Sequence, residues 1–126
     1  MPTSTSTGRE QGFEVLTLRN GSLELTAVPE LGAKIISLKN LRTGREWMYR
    51  PPGGLRLFRN RPGDDFAAST LVGWDECLPT IAPCAWDART LPDHGEAWDV
   101  DRAAWQQCML STSVGLIVCS IMRIHT

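Results

Sequence analysis

The stretch FEVLTLRNGSLELTAV, residues 13–28, decides the fold class. In its second half Leu23, Leu25 and Ala27 alternate with Ser22, Glu24 and Thr26. A period of two turns one face of a strand inward and the other to water. Asn20-Gly21 divides the stretch into runs Phe13–Arg19 and Ser22–Val28. That dipeptide accepts positive φ at both central positions of a type I′ turn, so the reading predicts a β-hairpin closed there. A sheet that is wet on one side is antiparallel.

Downstream, Pro29-Glu30-Leu31-Gly32 breaks the pattern, and Lys34–Lys39 (KIISLK) reads as a third strand with Ile36 and Leu38 facing one way. Asn40–Gly44 supplies a turn, and Glu46–Arg50, carrying Trp47 and Tyr49, reads as a fourth strand, because large aromatics suit a half-buried pleated surface. The result is a β-meander. From Arg50 to Asp65, prolines 51, 52 and 62 and glycines 53, 54 and 63 alternate with Arg56, Arg59 and Arg61. This is a long surface loop, either a solvated connection or the border of a ligand cleft. Upstream, residues 1–12 read as a flexible tail: Met1–Gly8 is small and polar, without the basic and apolar regions of a signal peptide. No dozen residues carry a clean helical period, although Asp101–Leu110 suits a short helical turn. The class is all-β.

Composition bounds the function. The chain has 126 residues, 42% hydrophobic and 21% charged, which suits one folded domain. Thirteen basic against fourteen acidic residues, with no basic stripe among aromatics, argues against a nucleic-acid partner. Cys77, Cys84, Cys108 and Cys119 form no CxxC and no short Cys/His pair, so the expectation is buried free thiols in a reducing cytoplasm and no metal. A site from Cys77, Cys84 and His94 is the metal alternative, without a recognised zinc spacing. The apolar run Val114–Ile124 is too short for a bilayer, which takes about 20 residues.

Between Gly73 and Trp105 lie four of the five tryptophans, six carboxylates before Val100 (Asp75, Glu76, Asp87, Asp93, Glu96 and Asp99) and His94. Tryptophan offers a flat apolar face with one N–H donor, and carboxylates accept hydroxyl hydrogens in pairs. A sugar ring presents C–H faces and hydroxyls in that mixture. Core tryptophans and solvated carboxylates explain the same composition. Order within the segment distinguishes the two: Gly73-Trp74-Asp75-Glu76-Cys77-Leu78-Pro79-Thr80-Ile81 is followed by Leu91-Pro92-Asp93-His94-Gly95-Glu96-Ala97-Trp98.

These motifs resemble the aldose 1-epimerase, or galactose mutarotase-like, superfamily. Residues 18–25 (LRNGSLEL), 28–35 (VPELGAKI) and 43–47 (TGREW) resemble its opening strands, so the likeness runs from Leu16 to Trp105. The resemblance implies an antiparallel β-sandwich, the galactose mutarotase-like supersandwich, present as an incomplete N-terminal portion over residues 13–108. It implies a hexose ligand, interconversion of α and β anomers, and no cofactor. On the same basis His94 is the expected catalytic acid, and Asp75, Glu76, Asp93, Glu96 and Trp98 are the expected substrate contacts, with Trp98 stacking on the sugar and Asp93 able to orient His94. Glu96-Ala97-Trp98 stands where sugar-phosphate epimerases carry Phe-Ala-Arg, which argues against a phosphorylated substrate. The family's glutamate base belongs to a later part of the sandwich, so this chain is expected to be a truncated or altered form. Residues 109–126 form an atypical end, a strand or an aberrant segment. Self-association through exposed sheet edges is expected, as is a non-catalytic sugar-binding module if no base is present.

Overall fold

A computed structural model describes residues 4–61 and 63–99. Four strands, β1 (Ser4–Glu10), β2 (Phe13–Arg19), β3 (Leu23–Val28) and β4 (Lys34–Asn40), form one antiparallel sheet in chain order. A second, two-stranded antiparallel sheet joins β5 (Cys84–Trp86) to β6 (Arg89–Leu91). The helical elements among the described residues are two single 3-10 turns, Phe66–Ala68 and Ala97–Asp99. The chain is all-β and antiparallel, as the alternation at residues 22–28 requires. No helix among the described residues is long and apolar enough to cross a membrane. The segments 101–110 and 109–126 lie outside the described residues.

Two expectations about the hairpins change. The supposed tail is strand β1, paired with β2 over seven rungs from Ser4↔Arg19 to Glu10↔Phe13. Its threonines favour extended backbone, but a polar edge strand carries no apolar alternation to betray it. The turn with positive φ at both central residues is Gln11 (50°) with Gly12 (89°), one hairpin earlier than expected. At the β2–β3 connection neither Asn20 nor Gly21 has positive φ. Asn20 instead occupies the first position of the turn, where its Oδ1 accepts the Ser22 and Leu23 amides at 2.8 and 2.9 Å. Its own amide donates to the Leu23 carbonyl at 3.0 Å. An asparagine side chain that closes the turn removes the need for a left-handed pair.

Opposite residues in a ladder share a face. Leu18, Leu25 and Leu38 therefore line one side, while Val15 and Val28 point to the other and meet Leu31, Ile36 and Leu57 in the core. A bulge makes this division: Thr26 pairs Ser37, but Ala27 pairs Ile35, so Ile36 is the extra residue and swings into the core. Ile36 and Leu38 consequently do not share a face. The long loop is also more than a solvated connection, since Leu57 is a core residue and Leu55 packs beside it. Gln11 pins that segment, donating Nε2 to the Leu55 carbonyl at 2.7 Å and accepting the Leu57 amide at 2.9 Å.

The fourth expected strand, Glu46–Arg50, begins and stops at one rung. Lys39 and Glu46 form a bridge, and the Trp47 amide donates to Leu38. The Glu46 carboxylate then takes over, accepting the Leu38 and Met48 amides at 2.9 Å each, the Ser37 hydroxyl and Arg50. A side chain occupying the donors of the next rung ends the ladder. Burial works to raise the Glu46 pKa, but hydrogen bonds from Ser37, Met48, Leu38 and Arg50 prevail and hold it at about 2.

Candidate functional site

The site is organised from the first residue of β4. Lys34 is only 2% exposed, and its ammonium donates to the Thr70 carbonyl (2.9 Å), the Val72 carbonyl (3.2 Å) and Asp75 Oδ2. All three of its protons are thereby used. Next to it Ile35 and Trp74 exchange main-chain hydrogen bonds at 3.0 and 2.9 Å. Lys34 and Ile35 thus fasten the Gly73-Trp74-Asp75 motif to the sheet. Gly73 has φ of +86°, and a Cβ there would run into the Ile35 carbonyl, so only glycine allows this approach.

The second motif folds onto the first. The His94 amide donates to Ile81 (2.8 Å), and the Glu96 and Ala97 amides both donate to Leu78 (2.7 and 3.2 Å). His94 and Gly95 are both left-handed, at φ of 59° and 72°. A Cβ at Gly95 would collide with the Leu78 carbonyl, which explains the glycine after the histidine. Histidine is one of the residue types that tolerates this region, and two consecutive left-handed residues turn its ring out of the loop.

The imidazole of His94 is 30% exposed and held from three directions. Phe66 stacks on one face, with ring centroids 3.8 Å apart and planes 10° from parallel. Nδ1 is buried 2.8 Å from Asp93 Oδ2, a contact that is an ion pair only with the ring protonated, and the oxygen stands off the line of a ring N–H bond. Asp75 lies within electrostatic range. Burial pushes the Asp75 carboxyl up, while Lys34 and His94 pull it the other way. Asp75 Oδ1 is buried and has no hydrogen-bond partner among the described residues.

The expected contact residues separate into groups. Asp93 and His94 stand together, with Asp75 behind them. Asp75 spends one oxygen on Lys34 and buries the other, so it serves as fixed internal charge rather than an accessible acceptor of sugar hydroxyls. Glu96 is exposed enough to meet solvent, but its carboxylate is bound by Arg89 at 3.0 and 3.3 Å. Glu76 is half-buried and makes no hydrogen bond or ion pair among the described residues; its charge is felt at Cys77. Trp98 is a core residue at 2% exposure, donating Nε1 to the Gly95 carbonyl at 3.0 Å and meeting Phe66 edge-on at 5.1 Å. The stacking role expected of Trp98 conflicts with this burial: the indole is a pillar under the His94 loop. The exposed indoles of the motif-bearing segment 73–98 are Trp74 and Trp86; Trp47, in the preceding loop, is exposed as well.

Sequence reasoning missed Lys34 and Phe66. Lys34 begins a run that reads as an ordinary strand, where a lysine is normally solvated. Phe66 directly follows the Pro/Gly-rich stretch, with no periodicity or motif to mark it.

Among the described residues, no group of three or more His, Cys, Asp or Glu is arranged to hold a metal ion. Cys77 and Cys84 are free thiols but not buried as expected: Cys77 is half-buried, and Cys84 lies on the short strand β5, whose three residues are all exposed; Cys108 and Cys119 lie outside the described residues. Burial raises the Cys77 thiol pKa, and Asp75, Glu76 and Asp93 raise it further, which disfavours the reactive thiolate. Comparisons of this chain with protein-family models, with curated proteins and with solved structures returned no match.

Proposed function

We propose that this chain is an aldose 1-epimerase-like carbohydrate-binding protein whose His94 faces a hexose and exchanges a proton with it. The observation that carries the reading is the setting of His94: a partly exposed imidazole on left-handed backbone, backed by Phe66 and flanked by Asp93, within the motif that resembles the family. Two exposed indoles, Trp74 and Trp86, supply apolar faces of the kind that pack on sugar C–H surfaces. The family reaction is reversible ring opening. A base removes the proton of the anomeric hydroxyl while an acid protonates the ring oxygen, and the bond from C1 to that oxygen breaks. The resulting aldehyde rotates and closes on its other face with the roles reversed. His94 suits the acid role, since an imidazole can hold a proton on one ring nitrogen and pass it on to a hydrogen-bonded acceptor.

A second reading, sugar binding without catalysis, is favoured by the state of the carboxylates. Asp75 is committed to Lys34 and Glu96 to Arg89, which leaves Glu76 as the candidate base among the expected site residues. This chain by itself is therefore expected to bind sugar weakly and to accelerate anomer exchange little. Free thiols at Cys77 and Cys84 support a reducing cytoplasm as its location. The leucine side of the main sheet, with Leu18, Leu25 and Leu38 half-buried, supports self-association or a covering partner.

The test follows the optical rotation of fresh α-D-glucose and α-D-galactose with and without the protein, alongside equilibrium binding of the same sugars. Binding that is lost in His94→Asn supports the proposal. Absence of binding removes it. Protein-dependent acceleration that His94→Asn reduces about 10²-fold or more, the range for losing a general acid, would show that the chain is a complete enzyme and overturn the second reading.

A further inference from the structure

We infer that Asp93 is a positioning residue, which keeps the ring proton of His94 on Nδ1 and so makes Nε2 the atom that meets the ligand. Nδ1 is fully buried, and the nearest polar group is a carboxylate oxygen 2.8 Å away. In a neutral imidazole one nitrogen carries hydrogen and the other a lone pair. A lone pair on Nδ1 would face the negative oxygen of Asp93, with the charge of Asp75 also in range and no donor to satisfy it among the described residues. A hydrogen on Nδ1 instead meets an acceptor, and a small rotation of the exposed Asp93 carboxylate brings the two into line. Burial of Nδ1 with the ring still 30% exposed leaves the Nε2 edge at the surface, and the Phe66 stack fixes the plane in which it lies. A carboxylate that fixes a histidine tautomer is a known way to define which nitrogen does the chemistry. Asp93 thereby acts through His94 rather than on the sugar. The protonated ring gives up the Nε2 proton and keeps the Nδ1 proton; the neutral ring offers an Nε2 lone pair. This catalytic meaning rests on the proposed sugar site, whereas the tautomer itself does not.

The experiment is a long-range proton–nitrogen correlation spectrum of the full 15N-labelled chain at alkaline pH, where the imidazoles are neutral, with His94→Gln used to separate His94 from His125. The inference requires the His94 ring to be mainly Nδ1-protonated in the wild type. Asp93→Ala must shift it to mainly Nε2-protonated, and Asp93→Glu must restore Nδ1. Asp93 is half exposed, so these variants leave the core intact; Asp93→Ser repeats the test if the alanine variant does not fold. A wild-type ring protonated mainly on Nε2, or a tautomer that ignores Asp93→Ala, overturns the inference. Binding of D-galactose by the same variants is read separately: the tautomer pattern without any sugar binding leaves the inference standing and removes the sugar reading.

Discussion

In the four-stranded sheet, β1 to β4 are joined by successive rungs of main-chain hydrogen bonds, whereas between residues 55 and 99 long-range contacts depend heavily on single side chains. Lys34 grips the carbonyls of residues 70 and 72, Gln11 grips 55 and 57, and the Thr70 hydroxyl donates to the Arg56 carbonyl. A ladder divides its stabilisation over many similar bonds. A side-chain clasp concentrates it, so one substitution in the second region should do what several would be needed to do in the first.

The largest effect should come from the buried ion pair. Lys34→Met leaves the Asp75 carboxylate without its counter-charge and frees two carbonyls, and breaking a buried pair in this way costs about 3–5 kcal/mol. Urea denaturation should show that loss, with much of it recovered when Asp75→Leu is added. A Lys34→Met variant as stable as the parent would mean that the clasp does not hold the two regions together.

Gly95→Ala comes next. The residue has φ of +72° and no room for a Cβ against Leu78, so the strain should reach about 1–3 kcal/mol. The loop should yield before the sheet does. The check is amide exchange: faster opening at residues 92–98 with β2 and β3 unchanged. Uniform loss of protection would contradict the separation of the two regions.

Glu46, where the would-be fourth strand stops, ties its stability to pH. Its folded pKa of about 2 lies below the ordinary glutamate value of 4.5, so its contribution is complete above pH 4.5 and is lost as pH falls through 2. The stability gap between the parent and Glu46→Gln should therefore be widest at neutral pH and close on acidification. A gap that grows toward low pH would reverse the assigned sign.

The smallest effects test the β2–β3 turn. Asn20→Ala removes two side-chain acceptors and should cost about 1 kcal/mol, while Gly21→Ala, at a residue without positive φ, should stay within about 0.5 kcal/mol. The opposite ranking in thermal melts would restore a type I′ turn centred on Asn20-Gly21.

How much was legible follows from the same contrast. Strands β2 and β3, and the start of β4, could be read because alternation and turn residues are local properties. β1 was missed because an edge strand of serine and threonine has no apolar face. The bulge at Ile36 and the end of the ladder at Glu46 depend on which partner lies opposite, and one strand's sequence does not contain that information. In the site, His94 and Asp93 were found through motif order, and the structure sets them side by side. Trp98 was expected to be a binding surface because indoles suit sugars, but its N–H found the Gly95 carbonyl and its ring found Phe66. Lys34 was read as one more strand residue, since nothing near it in sequence shows that its three acceptors come from residues 70, 72 and 75.

If the proposed function is right, ligand chemistry resides in the side-chain-clasped region and is centred on His94. Titration of D-galactose into the 15N-labelled chain, followed by amide chemical shifts, checks this. Shifts should be concentrated in residues 74–98, absent from β1–β3, and abolished by His94→Asn, a substitution that the left-handed backbone tolerates. No shifts at millimolar sugar, or shifts that persist unchanged in His94→Asn, would contradict it.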